Sequence, residues 1–126
     1  MMADPNLFAG RRILLVEDDY FMVLEMVQEL TASGAEVIGP VPSLAKGFDR
    51  LEKVKGIEGA ILDVNLQGEM VYPLAEELRR RGVPFVFATG YDEGTIPERY
   101  SDVPKFIKPF DVGAIAQVLL DARRPA

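Results

Sequence analysis

The chain contains no cysteine and no histidine. Without cysteine there is neither a disulfide framework nor thiol chemistry, and a cytosolic location is the default expectation. Without histidine, imidazole acid–base catalysis, His-ligated zinc and a phosphohistidine carried by this chain itself are excluded. Long apolar runs are missing too. No stretch approaches the length of a membrane span, so no membrane association is expected, and nothing resembles a cleavable signal sequence. Basic residues are outnumbered, 14 Lys and Arg against 20 Asp and Glu, and the net charge of −6 argues against nucleic-acid binding. The one basic run, Arg79-Arg80-Arg81, ends a predicted helix, where cations suit the dipole. It reads as a solvated helix end rather than a phosphate-binding patch.

What is present suits one soluble globular domain: 126 residues, 48% apolar and 27% charged. The most informative junction is Glu17-Asp18-Asp19, directly after the apolar run Ile13-Leu14-Leu15-Val16. A short unbroken apolar run reads as a strand buried on both faces, as in a parallel sheet. Carboxylates at its C-terminal end lie at the edge where open α/β sheets bind ligands. Crowding them is costly, because two unit charges ~4 Å apart repel by about 4 kcal/mol at an effective dielectric near 20. A cation, a lysine or solvent must relieve that repulsion.

Residues 1–10, with Asp4, Pro5 and Gly10, read as a loose N-terminal tail ahead of a single domain over 11–124. After the first strand, Tyr20–Ala32 reads as a helix ending near Ser33-Gly34, with Val23, Val27 and Leu30 on one face. Glu36–Gly39 is a short strand closed by Pro40. Ser43 is placed to cap a helix over Leu44–Val54. Ala60–Leu62 is a buried strand ending in Asp63. Val71, Leu74, Ala75 and Leu78 mark a helix stopped by Gly82, with Pro73 in its first turn. Phe85–Ala88 and Lys105–Ile107 are further strands, and Asp111 can cap a last helix carrying Ile115, Val118, Leu119 and Ala122. This alternation predicts one parallel sheet of five strands with helices on both faces. Tyr91–Pro104 breaks the pattern. With Gly94, Pro97 and Pro104 and little apolar beyond Ile96 and Val103, it predicts an irregular segment or a short, marginal helix.

Four polar features then share the C-terminal ends of predicted strands: Glu17/Asp18/Asp19, Asp63, Thr89 and Lys108. Parallel strands bring those ends to one edge. Hard carboxylate oxygens suit Mg²⁺, an ammonium can balance a phosphoryl group, and a carboxylate such as Asp63 can be a nucleophile in aspartyl-phosphate chemistry. Each signal alone is weak, since a strand-end Asp is commonly a cap or turn former. Their joint placement is not.

On Ile13–Asp19, Asp63 after Ala60–Leu62, Thr89 after Phe85–Ala88, and Lys108-Pro109-Phe110, the chain resembles the receiver domain of two-component response regulators. The resemblance implies a flavodoxin-like, doubly wound five-stranded α/β fold. It also implies a function, acceptance of a phosphoryl group from a histidine kinase or phosphotransfer protein. By position Asp63 matches the phosphoacceptor. Asp18 and Glu17 match the acidic pair that holds Mg²⁺, and Asn65 matches the residue whose backbone carbonyl completes the metal site. Thr89 and Lys108 match the pair that contacts the acyl phosphate, and Asp19 has no assigned role. Asn65 and Tyr91 match positions that tune dephosphorylation. The only catalysis implied is the domain's own phosphorylation and dephosphorylation.

The family's aromatic switch position holds Lys105, with Phe106 on the opposite face of the strand. Gln67 and Val71 replace a usual proline and glycine. Phe87-Ala88-Thr89-Gly90-Tyr91 matches the hallmark of the single-domain FAT GUY subgroup, in which a flexible segment replaces the fourth helix and partners include HWE-type kinases. This predicts that phosphorylation orders or repositions Tyr91–Pro104, with Tyr91 or Tyr100 as the aromatic participant. Because the sequence ends after the last helix, output through a downstream protein partner or a phosphorelay is expected. A Mg²⁺-dependent phosphohydrolase and a phosphorylation-independent pseudo-receiver are the alternatives. The first lacks an obvious second acid beside Asp63 and a cap domain, and the second sits poorly with the complete set Asp18, Asp63, Thr89 and Lys108.

Overall fold

The computed structural model describes residues 7–90, 96–108 and 111–122. In chain order the elements are β1 (Arg12–Val16), α1 (Tyr20–Ala32), β2 (Glu36–Val41), α2 (Leu44–Lys53), β3 (Ile57–Asp63), a hairpin of β4 (Asn65–Leu66) and β5 (Glu69–Met70), α3 (Tyr72–Arg80), β6 (Phe85–Thr89), a 3-10 turn at Glu98–Tyr100, β7 (Lys105–Ile107) and α4 (Val112–Ala122). The main sheet is parallel, in the order β2-β1-β3-β6-β7. This is the flavodoxin-like arrangement, and the strand order reverses between β1 and β3, which places the C-terminal ends of those strands at a switch point.

Alternation along each strand feeds two cores. Leu14 and Val16 join Leu62, Phe87, Leu51, Leu74 and Leu78 on the side of α2 and α3. Ile13 and Leu15 join Ile61, Val86, Met26, Leu30 and Ile115 on the side of α1 and α4. Each fully buried Leu or Ile contributes about 1.5–3 kcal/mol. The strands between two helical layers are therefore apolar throughout, as the runs Ile13–Val16 and Phe85–Ala88 predict.

The helix boundaries follow their local chemistry. Ser43 caps α2 by accepting from Lys46 N at 3.3 Å, and Pro73 lies in the first turn of α3, where its missing N–H costs nothing. Buried Gly47 of α2 meets Leu74 of α3 so closely that an added Cβ would sit 2.8 Å from Leu74 Cδ2. Between β6 and β7 the 3-10 turn is the only helical element among the described residues.

Three details differ from expectation. Strand β2 runs through Pro40 to Val41, because it is an edge strand and a missing N–H breaks no ladder there. Residues 7–10, read as part of a loose tail, are packed: Phe8 is fully buried, its N–H donates to Ser33 O at 2.9 Å, and Gly10 N donates to Gly34 O at 2.8 Å. Residues 1–6 lie outside the described residues. The β4–β5 hairpin has no counterpart in the sequence reading, since two-residue strands carry no periodicity. Among the described residues no helix is long and apolar enough to cross a membrane.

Candidate functional site

The C-terminal ends of β1, β3, β6 and β7 and the hairpin border an open pocket of about 310 Å³. It is lined by Glu17, Asp18, Asp19, Asp63, Asn65, Gln67, Gly68, Gly90 and Lys108. Glu17 is delivered there by an irregularity of the β1–β2 ladder between Leu14 and Val16. Gly39 makes it possible: its φ is +115°, and an added Cβ would lie 2.7 Å from Leu15 O. The carbonyl of Val41 then accepts from Glu17 N at 3.0 Å.

Glu17, Asp18 and Asp63 offer one carboxylate oxygen each, all within 4.8 Å of one another. Lys108 partly relieves the repulsion. Its buried ammonium lies 2.5 Å from Glu17 Oε1 and 3.4 Å from Asp63 Oδ2. The contact with Glu17 Oε1 is one of charge, and that buried oxygen accepts no well-formed hydrogen bond. Burial, and then the Glu17 charge, push the Asp63 carboxyl up to about 7 against the opposing pull of Lys108. Burial alone would lower the Lys108 ammonium, but the Glu17 and Asp63 carboxylates hold it above its ordinary value. The proton and the lysine are two partial answers to a charge excess that a hard cation would answer better. Three clustered oxygen donors beside an open pocket fit Mg²⁺, which keeps several waters and needs few protein ligands.

Asn65 N donates to Asp63 Oδ1 at 3.3 Å, and Asn65 Oδ1 accepts from Gly68 N at 2.5 Å. Thr89 is buried and tied to its neighbour through the backbone, Lys108 N donating to Thr89 O at 2.8 Å. Its side chain is not among those lining the pocket. The sequence left Asp19 without a role, and the structure gives it one. It is the N-cap of α1, Oδ1 accepting from Phe21 N at 3.0 Å and Met22 N at 3.3 Å, while its own N–H donates to Glu17 Oε2 at 3.1 Å. An Asp immediately before a helical pattern was the available signal. The pocket-lining Gln67, Gly68 and Gly90 were not foreseen as site residues, and only the turn-forming Gln-Gly pair hints at the first two.

Among solved structures, SdrG from Sphingomonas melonis is 37% identical, with a TM-score of 0.78 over 90% of this chain and 97% of that one. The chain belongs to the response regulator receiver family. The BeF3-activated conformation of SdrG, from Pseudomonas melonis, is 36% identical with a TM-score of 0.71, over 97% and 98% of the two chains. A response regulator receiver protein from Sinorhizobium medicae, 23% identical, shares the fold with a TM-score of 0.72 over 91% and 98%. No family model matches the chain, and neither does any curated protein.

The receiver's usual aromatic switch position is occupied by Lys105, whose Nζ donates to Tyr100 O at 3.1 Å and Val103 O at 2.7 Å. Phe106 packs on the opposite side, with the α1 and α4 layer. The buried aromatic of this region is Tyr100. It stacks on Tyr72 at 5.2 Å, meets Phe87 edge-on at 5.7 Å, and donates to Glu76 Oε1 at 2.6 Å. The part of the irregular segment from Ile96 to Pro104 is thereby anchored to α3 and β6, whereas Tyr91 lies outside the described residues, as do Pro109 and Phe110. The triple-arginine run is an exposed helix end, as expected, and its cations also make surface ion pairs. Arg79 pairs with Asp102 at 2.7 Å and covers the Tyr100 ring, Arg80 pairs with Glu77, and Arg81 bridges Glu77 and Glu52.

Proposed function

We propose that this receiver accepts a phosphoryl group on Asp63 from the phosphohistidine of a sensor histidine kinase or a phosphotransfer protein, with Mg²⁺ as cofactor. The observation that carries the reading is the convergence of Glu17, Asp18 and Asp63 within 4.8 Å, with Lys108 beside them, in a chain of this family. Glu17, Asp18, Asp63 and the Asn65 carbonyl would hold the metal, whose charge lets a carboxylate approach an anionic phosphoryl group. Asp63 is the nucleophile, held in place by Asn65 N. Lys108 is the point charge that turns from the carboxylates toward the new phosphoryl oxygens. The backbone bond from Lys108 N to Thr89 O supports the idea that the ends of β6 and β7 respond together. Such a local charge event can bias a two-state element read by a protein partner.

The domain's catalysis would be confined to its own phosphorylation and dephosphorylation. An HWE-type kinase as donor rests on the Phe87-Ala88-Thr89-Gly90-Tyr91 hallmark. The test is incubation with Mg²⁺ and a small phosphoryl donor such as phosphoramidate, followed by intact mass. A stoichiometric adduct lost in Asp63→Asn supports the reading. Multiple turnover without an adduct would instead indicate a hydrolase, and no reaction a pseudo-receiver.

A further inference from the structure

Gln67 stands out in the pocket. It is a non-glycine residue with φ of +55°, followed by Gly68 at +93°, so the two form the tight loop between β4 and β5. Left-handed backbone is costly for any residue with a Cβ, and the residues that usually accept it in such loops are Asn, Asp and Gly. A long carboxamide at this corner therefore needs a reason.

The surroundings supply one. The hairpin is a braced arm: Gly68 N donates to Asn65 Oδ1, Val71 N to Val64 O at 3.0 Å, and Leu44 N at the start of α2 to Glu69 Oε1 at 3.1 Å. It holds Gln67 against the pocket that contains Asp63. Of the other side chains there, only Asn65 also offers an uncharged donor, its NH₂. The carboxylates only accept, Lys108 is paired with Glu17 and Asp63, and Asn65 Oδ1 is taken by Gly68 N. Asp19 is occupied as a helix cap. The Gln67 carboxamide makes no hydrogen bond among the described residues. It is an exposed, uncharged group, with two donors and an acceptor, on a residue that lines the anionic pocket.

We infer that Gln67 is a positioning residue that orients the water attacking the Asp63 phosphoryl group, and so sets how long the phosphorylated state lasts. The inference rests on the phosphoacceptor reading. In the step it serves, the water oxygen bonds to phosphorus and the bond from phosphorus to the Asp63 oxygen breaks. Asp63 leaves as a carboxylate, and both water protons stay on the product, dihydrogen phosphate. The carboxamide oxygen can accept from that water while its NH₂ donates to a phosphoryl oxygen.

The test loads the protein with phosphoramidate and Mg²⁺, removes the donor, and follows loss of the adduct by intact mass in wild type, Gln67→Ala and Gln67→Gly. One neutral hydrogen bond in the transition state corresponds to about a fivefold rate effect, so both variants are expected to hold the phosphoryl group about fivefold longer. The two variants separate positioning from structure. Gln67→Gly relieves the backbone cost and is expected to melt higher than wild type, whereas Gln67→Ala keeps that cost. Slower loss in both, whatever their melting temperatures, supports positioning. Lifetimes within about twofold of wild type in both variants, or lifetimes that follow stability, overturn the inference while leaving the phosphoacceptor reading intact. No adduct on the wild-type protein overturns both.

Discussion

Asp63 and Asp19 are two carboxylates in one pocket with opposite consequences for stability. Asp63 is buried beside Glu17 and is pushed up to about 7, so its ionised form is a cost to the metal-free fold. Asp63→Asn is expected to stabilise the protein in chelator at neutral pH by about 1–2 kcal/mol, after allowance for solvent screening at the open pocket. Asp19 instead satisfies two N–H groups at the start of α1. Asp19→Ala is expected to cost about 1 kcal/mol, the usual worth of an N-cap. Urea unfolding of both variants in EDTA checks the pair, and the same sign for both would refute this account of the cluster. Sequence alone flagged all three acids as one electrostatic problem. The family resemblance set Asp19 apart from Glu17 and Asp18 but gave it no role, because which carboxylate caps the helix and which is buried depends on the ladder irregularity near Gly39 and Leu15, a feature without a local sequence signature.

At the level of elements, Tyr100 is the central anchor of residues 96–104, the described part of the segment between β6 and β7. Tyr100 is fully buried, and its hydroxyl donates to Glu76, whose carboxyl is held below its ordinary value first by that bond. Tyr100→Phe is expected to cost about 1 kcal/mol and Tyr100→Ala about 3–5 kcal/mol. In the alanine variant, hydrogen exchange should quicken first at Ser101–Lys105. If exchange there changes only with global unfolding, Tyr100 is not the local anchor. A second clamp closes the end of α3, where Glu77 meets Arg80 and Arg81, which hold its carboxyl down at about 2. A depressed carboxyl contributes stability above its unfolded value, near 4.5, and that contribution is lost as pH falls toward about 2. The stability gap between wild type and Glu77→Gln should therefore shrink between pH 4.5 and pH 2, and unfolding midpoints across that range measure it. The elements themselves were largely legible: α1 and β7 fell where apolar spacing and the flanking turn residues put them. The hairpin and the packed Phe8 did not, since each depends on a distant partner, α2 for Glu69 and the α1–β2 turn for Phe8.

Over the whole molecule, the site joins parts of the chain far apart in sequence, so a Mg²⁺ ion bound there would have a global consequence. Glu17 and Asp18 follow β1, and Asp63 ends β3, its neighbour in the sheet. The gathering of these acids with Lys108 was legible because parallel strands that alternate with helices must present their C-terminal ends together. The interval with Thr89 was less so: its side chain lies outside the pocket lining, and strand-end position says nothing of side-chain direction. An ion held between β1 and β3 binds only when both strands are in register, so it binds the folded chain and not the unfolded one. By mass action, Mg²⁺ at a hundred times its dissociation constant adds about 2.7 kcal/mol. For a domain of this size that corresponds to a rise in Tm of roughly 10 °C. The melting temperature should climb with the logarithm of Mg²⁺ concentration and fall back on chelation. Asp18→Asn should blunt the climb without lowering the Mg²⁺-free Tm, because it removes a donor and a repelling charge together. An Asp18→Asn protein that gains as much from Mg²⁺ as wild type would place the ion elsewhere, and a wild-type Tm indifferent to Mg²⁺ would leave the three carboxylates with Lys108 as their only counter-charge.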